Sequence, residues 1–287
     1  MHKKILLIGS TGQLGSALFN ILAADYNVTG LTSKELDIAD ARAVQMVIQQ
    51  AKPDYIINAA AFNKVNEAEN DPQKAFAVNA FGPYYLAVAA KQHGAIFVHV
   101  STDYVFDGTQ GFFSEKDAPH PLNVYGASKY SGEQLVEIAS GSHYIIRTSA
   151  LFGPSTGSQK INFVDRIVNS AKAGENLTVV SDQYTSPTYA PDLALKIKEL
   201  LEKKAPYGLY HITNSGSCSW YEFAEKIVDI SGLPTTLIPQ VTGNAPQQVR
   251  RPAKSILENS FLKKNALGLL PPWEDAVTRY VTGLWEA

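Results

Sequence analysis

Sulfur is scarce in this sequence, with one cysteine, Cys218, and two methionines among 287 residues. A single thiol excludes an intrachain disulfide and leaves nothing that marks an oxidising compartment, so a buried packing role is its expected use. Long apolar runs are missing too. None approaches the roughly 18 residues that a membrane-spanning helix needs. The opening MHKKILLIGS places basic residues before an apolar stretch, as a signal peptide does, but the run from Ile5 to Ile8 is too short for one and reads as a first strand. Neither sign of charge is in excess, with 25 Lys and Arg against 27 Asp and Glu. That balance removes the basic field that would recruit nucleic acid or anionic lipid. The histidines and the lone cysteine form no cluster with metal-ligand spacing. What remains is an ordinary globular composition, 45% hydrophobic and 18% charged, expected of a soluble cytoplasmic protein whose partner is a small molecule.

The apolar pattern is regular. ILLIG leads into STGQLGSALFNILAA, where Leu14, Leu18, Ile21 and Leu22 keep helical spacing, which gives strand, glycine turn and helix in that order. YNVTGLT predicts a second strand, ADARAVQMVIQQA a helix with Asp40 as N-cap, and DYIINAAA a third, buried strand. QKAFAVNAFGPYYLAVAAKQH predicts a helix before the strand AIFVHVS, and the helix holding VYGASKY precedes HYIIRTS. This alternation, without hairpin signals through residue 150, predicts an α/β fold with a doubly wound parallel sheet of Rossmann type. After Phe152 the texture changes to loops and short strands, which predicts a smaller C-terminal lobe. PTYAPDLALKIKELLEKK predicts a helix that returns to the first domain, and YGLYHIT a late strand that joins its sheet.

The turn after the first strand reads GSTGQLG and holds Gly9, Thr11, Gly12, Gln13, Leu14 and Gly15. A dinucleotide pyrophosphate needs backbone amides at a helix N-terminus, and glycine lets the backbone approach without a Cβ in the way. The spacing G-x-x-G-x-x-G departs from the G-x-G-x-x-G fingerprint, but the strand before and the helix after are the context that chemistry requires. Cofactor choice lies at the end of the second strand, in LTSKELDI. Thr32 and Ser33 offer hydroxyls, Lys34 a positive charge, and Glu35 follows. The expectation is NADPH with NADH tolerated; Lys34 as a merely solvated charge is the competing reading.

Tyr125 and Lys129 stand four residues apart in VYGASKY, on one face of a helix. Such a pair is either a surface accident or an acid/base device. With a nicotinamide beside it, the device has a use: reducing a ketone requires a proton for the developing alkoxide, and a phenol of ordinary pKa near 10 needs a neighbouring cation to act near neutrality. Lys129 fits that role and could also bond the nicotinamide ribose. Ser101, Thr102 and Asp103 follow the fourth strand, at the carboxyl end of the sheet, where a hydroxyl can hold a carbonyl toward Tyr125.

The order GSTGQLG, NAAA, STDYVFDG, YGASK resembles the extended short-chain dehydrogenase/reductases, and GQLG with STDYVFDG resembles the dTDP-4-dehydrorhamnose reductases among them. LDIAD, PDYIINAAAF, RTSALFG, NFV, DQYTSPTYAPDLA, SWYEFA and RPAKSIL extend the likeness over nearly the whole chain. The resemblance implies Tyr125 as proton donor, Lys129 as its tuner and ribose ligand, and Thr102 as the hydroxyl beside the carbonyl. It implies Gly12, Gln13 and Leu14 at the pyrophosphate, Asp37 and Ile38 at the adenine, and Ala59, Ala60 and Ala61 on the ribose side. Thr102 and Asp103 would touch the sugar, with Ala150, Asn162, Arg251 and Ser255 as further substrate candidates. The implied division is a dinucleotide-binding domain over 1–152, with returning segments near 185–213, and a mainly substrate-binding lobe over 153–287.

Two departures fall where a substrate would be read. The family it resembles commonly has tryptophan, an aliphatic residue and Tyr after RTS, where this chain has Ala150, Leu151 and Phe152, and often Thr-x-Val-Asp after NAAAY or similar, where this chain has Asn63, Lys64, Val65 and Asn66 after Phe62. The implied activity is NAD(P)H-dependent reduction of dTDP-4-dehydrorhamnose to dTDP-L-rhamnose, with a homodimer admitted. Two alternatives stay open: a reductase of another nucleotide-linked keto-deoxysugar, and a non-catalytic subunit like the regulatory β subunit of methionine adenosyltransferase.

Overall fold

The computed structural model of the protein describes residues 2–156, 161–244 and 249–286. The chain begins β1 (Lys4–Ile8), α1 (Gln13–Leu22), β2 (Asn27–Leu31), α2 (Ala41–Ala51), β3 (Tyr55–Asn58), α3 (Val65–Asn70), α4 (Pro72–Phe76), α5 (Gly82–His93) and β4 (Ile96–Thr102). It continues with β5 (Phe112–Phe113), α6 (Val124–Ala139), β6 (His143–Thr148), β7 (Leu151–Phe152), α7 (Phe163–Lys172), β8 (Leu177–Val180), β9 (Tyr184–Thr185), β10 (Thr188–Tyr189), α8 (Ala190–Glu202) and β11 (Gly208–His211). Short strands β12 (Asn214–Ser215) and β13 (Cys218–Ser219) lead to α9 (Trp220–Ser231), β14 (Leu237–Gln240), β15 (Ile256–Leu257), α10 (Ser260–Lys264), β16 (Leu270–Pro272) and α11 (Trp273–Glu286).

Six strands form one parallel sheet in the order β2-β1-β3-β4-β6-β11. Alternation along β1 explains the layers: Ile5 and Leu7 face a core that includes α1 and α8, while Leu6 and Ile8 face one that includes α2, α5 and α6. Strand order reverses between β1 and β3, and such a switch point opens a crevice at the carboxyl ends of the strands. β11 arrives late and pairs with β6, as YGLYHIT predicts. Asp40 caps α2 by accepting from the Arg42 and Ala43 amides.

Between α4 and α5 the helix widens into a π-turn over Ala77–Phe81 where the sequence predicts uninterrupted helix. The cause is tertiary. Asn79 bonds the Phe62 amide and carbonyl and the Ser128 hydroxyl, tying this helix to the loop after β3 and to α6. A third core, built on Val164, Ile167, Phe223, Ile227, Val277 and Val281, joins α7, α9 and α11 and reaches Phe152 of β7. Cys218 is buried in it. Among the described residues no helix is long and apolar enough to cross a membrane.

Candidate active site

The glycine turn sits in the switch-point crevice. Gly9 has φ +78°, and a Cβ there would lie 2.7 Å from the Ala60 amide and 2.9 Å from the Ala59 carbonyl carbon, so the loops after β1 and β3 meet backbone to backbone. A Cβ on Gly15 would come within 2.0 Å of the Gly9 carbonyl oxygen. Gly12 stands at the N-cap of α1 with no side chain bonded to the first turn, which leaves amides facing the crevice. Leu14 turns its side chain into the core, so only its backbone can address a ligand. Three buried hydroxyls near the ends of β4, β6 and β9, those of Ser101, Thr148 and Ser186, lack a protein partner. A cradle that Cβ atoms would fill, an uncapped helix start and spare buried hydroxyls fit a dinucleotide.

At the end of β2, the Glu35 carboxylate folds back to accept the Thr32 amide at 2.7 Å, and the Thr32 backbone and hydroxyl together hold its pKa below the usual range. Asp37 is exposed and accepts the Ala39 amide, whereas the Ile38 side chain is buried against Gly82. Ile38 can therefore meet an adenine only through its backbone or the edge of its side chain. Ala59, Ala60 and Ala61 follow β3 part-exposed, the Ala60 amide bonded to Asn58.

Tyr125 enters on the first turn of α6. Asn123 caps that turn by accepting the Gly126 amide at 2.8 Å, and Glu69 accepts the Val124 amide at 2.7 Å. A Cβ on Gly126 would lie 2.1 Å from the Tyr104 carbonyl oxygen, so the glycine after Tyr125 lets α6 press against the 3-10 turn Asp103–Val105. The Tyr125 ring keeps a part-exposed face and meets Tyr104 edge-on at 5.8 Å. Its hydroxyl lies among Thr102, Asp103 and Tyr104. Burial pushes its pKa well up, a hydrogen bond with Thr102 opposes the rise, and Asp103 and Tyr104 add to it.

The Lys129 Nζ donates to the Val100 carbonyl at 2.6 Å. The ammonium is turned toward the β4 backbone, and burial governs the phenol. Burial also brings Lys129 down to about 8, opposed by Glu133.

Asp103 is 4% exposed and receives hydrogen bonds from the Ser255, Ser149 and Thr102 hydroxyls. Burial outweighs them and raises its pKa to about 6. Ser255 arrives with the segment before β15, which pairs with β5, and its amide donates to the Tyr184 carbonyl. Gly108 admits that segment, since a Cβ there would lie 2.7 Å from the Ala253 amide nitrogen. Arg251 reaches Tyr104 and stands 3.5 Å from the Asn66 side chain.

Residues 3–285 match the family described as RmlD substrate binding domain. The chain belongs to this family. It is 40% identical to the spore coat polysaccharide biosynthesis protein SpsK of Bacillus subtilis over 282 residues, 97% of this chain and 96% of that one. It is 39% identical to a dTDP-4-dehydrorhamnose reductase of Aggregatibacter actinomycetemcomitans, over 96% and 97% of the two chains. Among solved structures, the Bacillus anthracis dTDP-4-dehydrorhamnose reductase in complex with NADP superposes with a TM-score of 0.94 at 38% identity, over 99% of this chain and all of that one. A Thermus thermophilus UDP-glucose 4-epimerase with NAD, at 19% identity and TM-score 0.82, shares the fold. The RmlD-family chain is thus an oxidoreductase of short-chain dehydrogenase/reductase type.

Within this frame Thr102, Asp103, Tyr125 and Ser255 come together, with Arg251 beside Tyr104. Asn162 caps α7 by accepting the Asp165 amide, and its Nδ2 donates to the Gly153 carbonyl and the Tyr280 hydroxyl, both at 3.1 Å. These bonds tie the start of α7 to β7 and α11. Ala150 takes a left-handed φ of +41°. Sequence reasoning missed Ser149, which bonds Asp103 and lies in the motif RTS, and Tyr104, within STDYVFDG. It also missed Asn123, whose place three residues before Gly126 at a helix start was a readable cap signal.

Proposed function

We propose that the chain reduces the 4-keto group of a nucleotide-linked 6-deoxyhexose, converting dTDP-4-dehydrorhamnose to dTDP-L-rhamnose, with NADPH preferred and NADH accepted. The carrying observation is the convergence of Thr102, Tyr125 and Asp103 at the carboxyl end of β4, beside the glycine crevice. Gly9, Gly12, Gln13, Gly15, Ala59 to Ala61 and Lys129 would hold the dinucleotide, which supplies the hydride when bound. Thr102 orients a carbonyl oxygen toward Tyr125, and the phenol delivers the proton that the developing alkoxide takes up. A raised phenol pKa keeps that proton in place until the alkoxide forms. Asp103 and Ser255 offer a polar wall to sugar hydroxyls, and Arg251 a charge to the nucleotide part. NADPH is favoured by the hydroxyls and ammonium of Thr32 to Lys34 and by the NADP complex of the Bacillus anthracis relative.

Ala150 and the Arg251–Asn66 pair favour a second reading, another nucleotide-linked keto-deoxysugar, since both are positions at which the sequence departs from the pattern of the family it resembles. The test is incubation of the purified chain with NADPH and a panel of nucleotide-linked 4-keto sugars, following nicotinamide absorbance. Oxidation of NADPH with dTDP-4-dehydrorhamnose supports the first reading, and turnover of another sugar alone supports the second. No turnover with any sugar, together with retention on a synthetase column, would reject both in favour of a regulatory subunit.

A further inference from the structure

Tyr125, Lys129 and Glu133 follow one another at four-residue steps along α6 and so share a face of the helix. Lys129 is 1% exposed, Glu133 3% and Arg147 3%. The Glu133 carboxylate is held by Arg147 of β6 through Nε at 2.9 and 3.2 Å and Nη2 at 2.6 Å. Arg147 is itself fixed on its other sides. Its Nη1 stands 3.4 Å from His211 Nε2, its guanidinium lies 5.1 Å from the Phe106 ring centroid, and its backbone is in register with Ser101 of β4. Against this rigid pair, the ammonium of Lys129 has a neutral carbonyl, that of Val100, as its hydrogen-bond acceptor.

We propose that Glu133 is a positioning residue for the reaction: held by Arg147, its carboxylate is the buried anion that keeps Lys129 cationic beside the cofactor crevice. The proposal rests on the reductase reading above. A buried ammonium with a neutral acceptor loses its proton readily, because desolvation penalises the charged form. The groups facing Lys129 narrow the source of compensation. On α6 they are Tyr125, whose phenol stays protonated, and Glu133. From β4 comes His99, kept neutral by burial and by Lys129 itself. From the 3-10 turn come Asp103 and Tyr104, and from β6 comes Arg147, which is committed to Glu133. Of these, Glu133 is the one whose attraction acts on Lys129, against the burial that brings it to about 8. Arg147 holds the Glu133 carboxylate in place, so the pair presents a fixed dipole with its negative end on the α6 side. In this role Glu133 acts through Lys129.

The test compares Arg147→Gln with the double variant Glu133→Gln/Arg147→Gln, which replaces the pair by neutral groups of similar volume and leaves no buried charge unpaired. Two readouts follow pH: the dissociation constant for NADPH by protein fluorescence, and the Lys129 side-chain resonance in ¹³C-lysine-labelled protein, assigned with Lys129→Met. In the wild type both should change with a midpoint near 8. In the double variant the midpoint should fall by roughly one pH unit or more, the low end of what an opposite charge nearby ordinarily supplies. In Arg147→Gln it should stay or rise, because Glu133 is then less neutralised. A midpoint unmoved in the double variant, or lowered equally in both variants, would reduce the pair to a structural clasp and overturn the proposal. The resonance needs no cofactor. Failure of the wild type to bind NADPH at any pH would sink the reductase reading, while the resonance alone still accepts or rejects the role of Glu133.

Discussion

Asp103→Asn should make the protein more stable while damaging its site. The wild-type carboxyl is 4% exposed, and burial lifts its pKa from the ordinary value of 3.8 to about 6 despite bonds from three hydroxyls. At about 1.4 kcal/mol per pH unit, that gap means the ionised carboxylate costs the fold up to about 3 kcal/mol. The sign follows from proton binding. Below pH 3.8 the group is protonated in both states and costs nothing; between 3.8 and about 6 the unfolded chain releases its proton first and the penalty grows; above 6 it is complete. Asparagine removes the charge and keeps an oxygen for Ser149, Ser255 and Thr102. Urea denaturation of both proteins from pH 4 to 8 should therefore give a stability gain of about 1 to 3 kcal/mol for the variant above pH 6, shrinking toward zero at pH 4. Reductase activity should fall in the same variant, the usual exchange between stability and a strained site. A gain that does not vary with pH, or a variant less stable than wild type at pH 7.5, would refute the reasoning.

Tyr125→Phe keeps the ring against Tyr104 and should retain NADPH affinity while lowering turnover by roughly 10² to 10⁴, the range of general acid catalysis; near wild-type turnover would remove the phenol from the mechanism. Glu35→Gln withdraws a carboxylate from the Thr32 amide and should tighten NADPH binding roughly fivefold, as a like charge is removed from beside the 2′-phosphate, with little change for NADH. Equal effects on both cofactors, measured as kcat/KM, would show that the phosphate is not read there. Ala150→Trp should fold, since both residues carry a Cβ at the left-handed φ, and should leave KM for dTDP-4-dehydrorhamnose unchanged or lower. A raised KM for an N-acetylated sugar alongside improved use of dTDP-4-dehydrorhamnose would point to a pocket reshaped for the larger group.

Much of this was legible along the chain because it is local. Apolar period two or three to four, an Asp before a helix and glycines after a strand fix elements that form from near neighbours, so the strands of the central sheet, α1 and α2 and the Tyr125–Lys129 spacing could be read directly. The departures at Ala150 and Asn66 were equally visible, though not that one would hold a left-handed φ and the other face Arg251. The rest depends on what folding brings from afar. Gly126 is a motif letter in the sequence, and only the approach of Tyr104 to 2.1 Å from its would-be Cβ gives it a reason. Asn162 is one letter of NFV in the sequence, and only folding brings the Gly153 carbonyl and the Tyr280 hydroxyl to its side-chain amide. Lys129 turns to Val100 rather than to the phenol, and Asp103 holds its proton to about pH 6, because burial, which no residue spacing encodes, sets the cost of charge at each position. Ser255 meets Asp103 across a long stretch of chain for the same reason: periodicity decides what a segment becomes, and the packing of distant segments decides which side chains share a site and in what state of protonation.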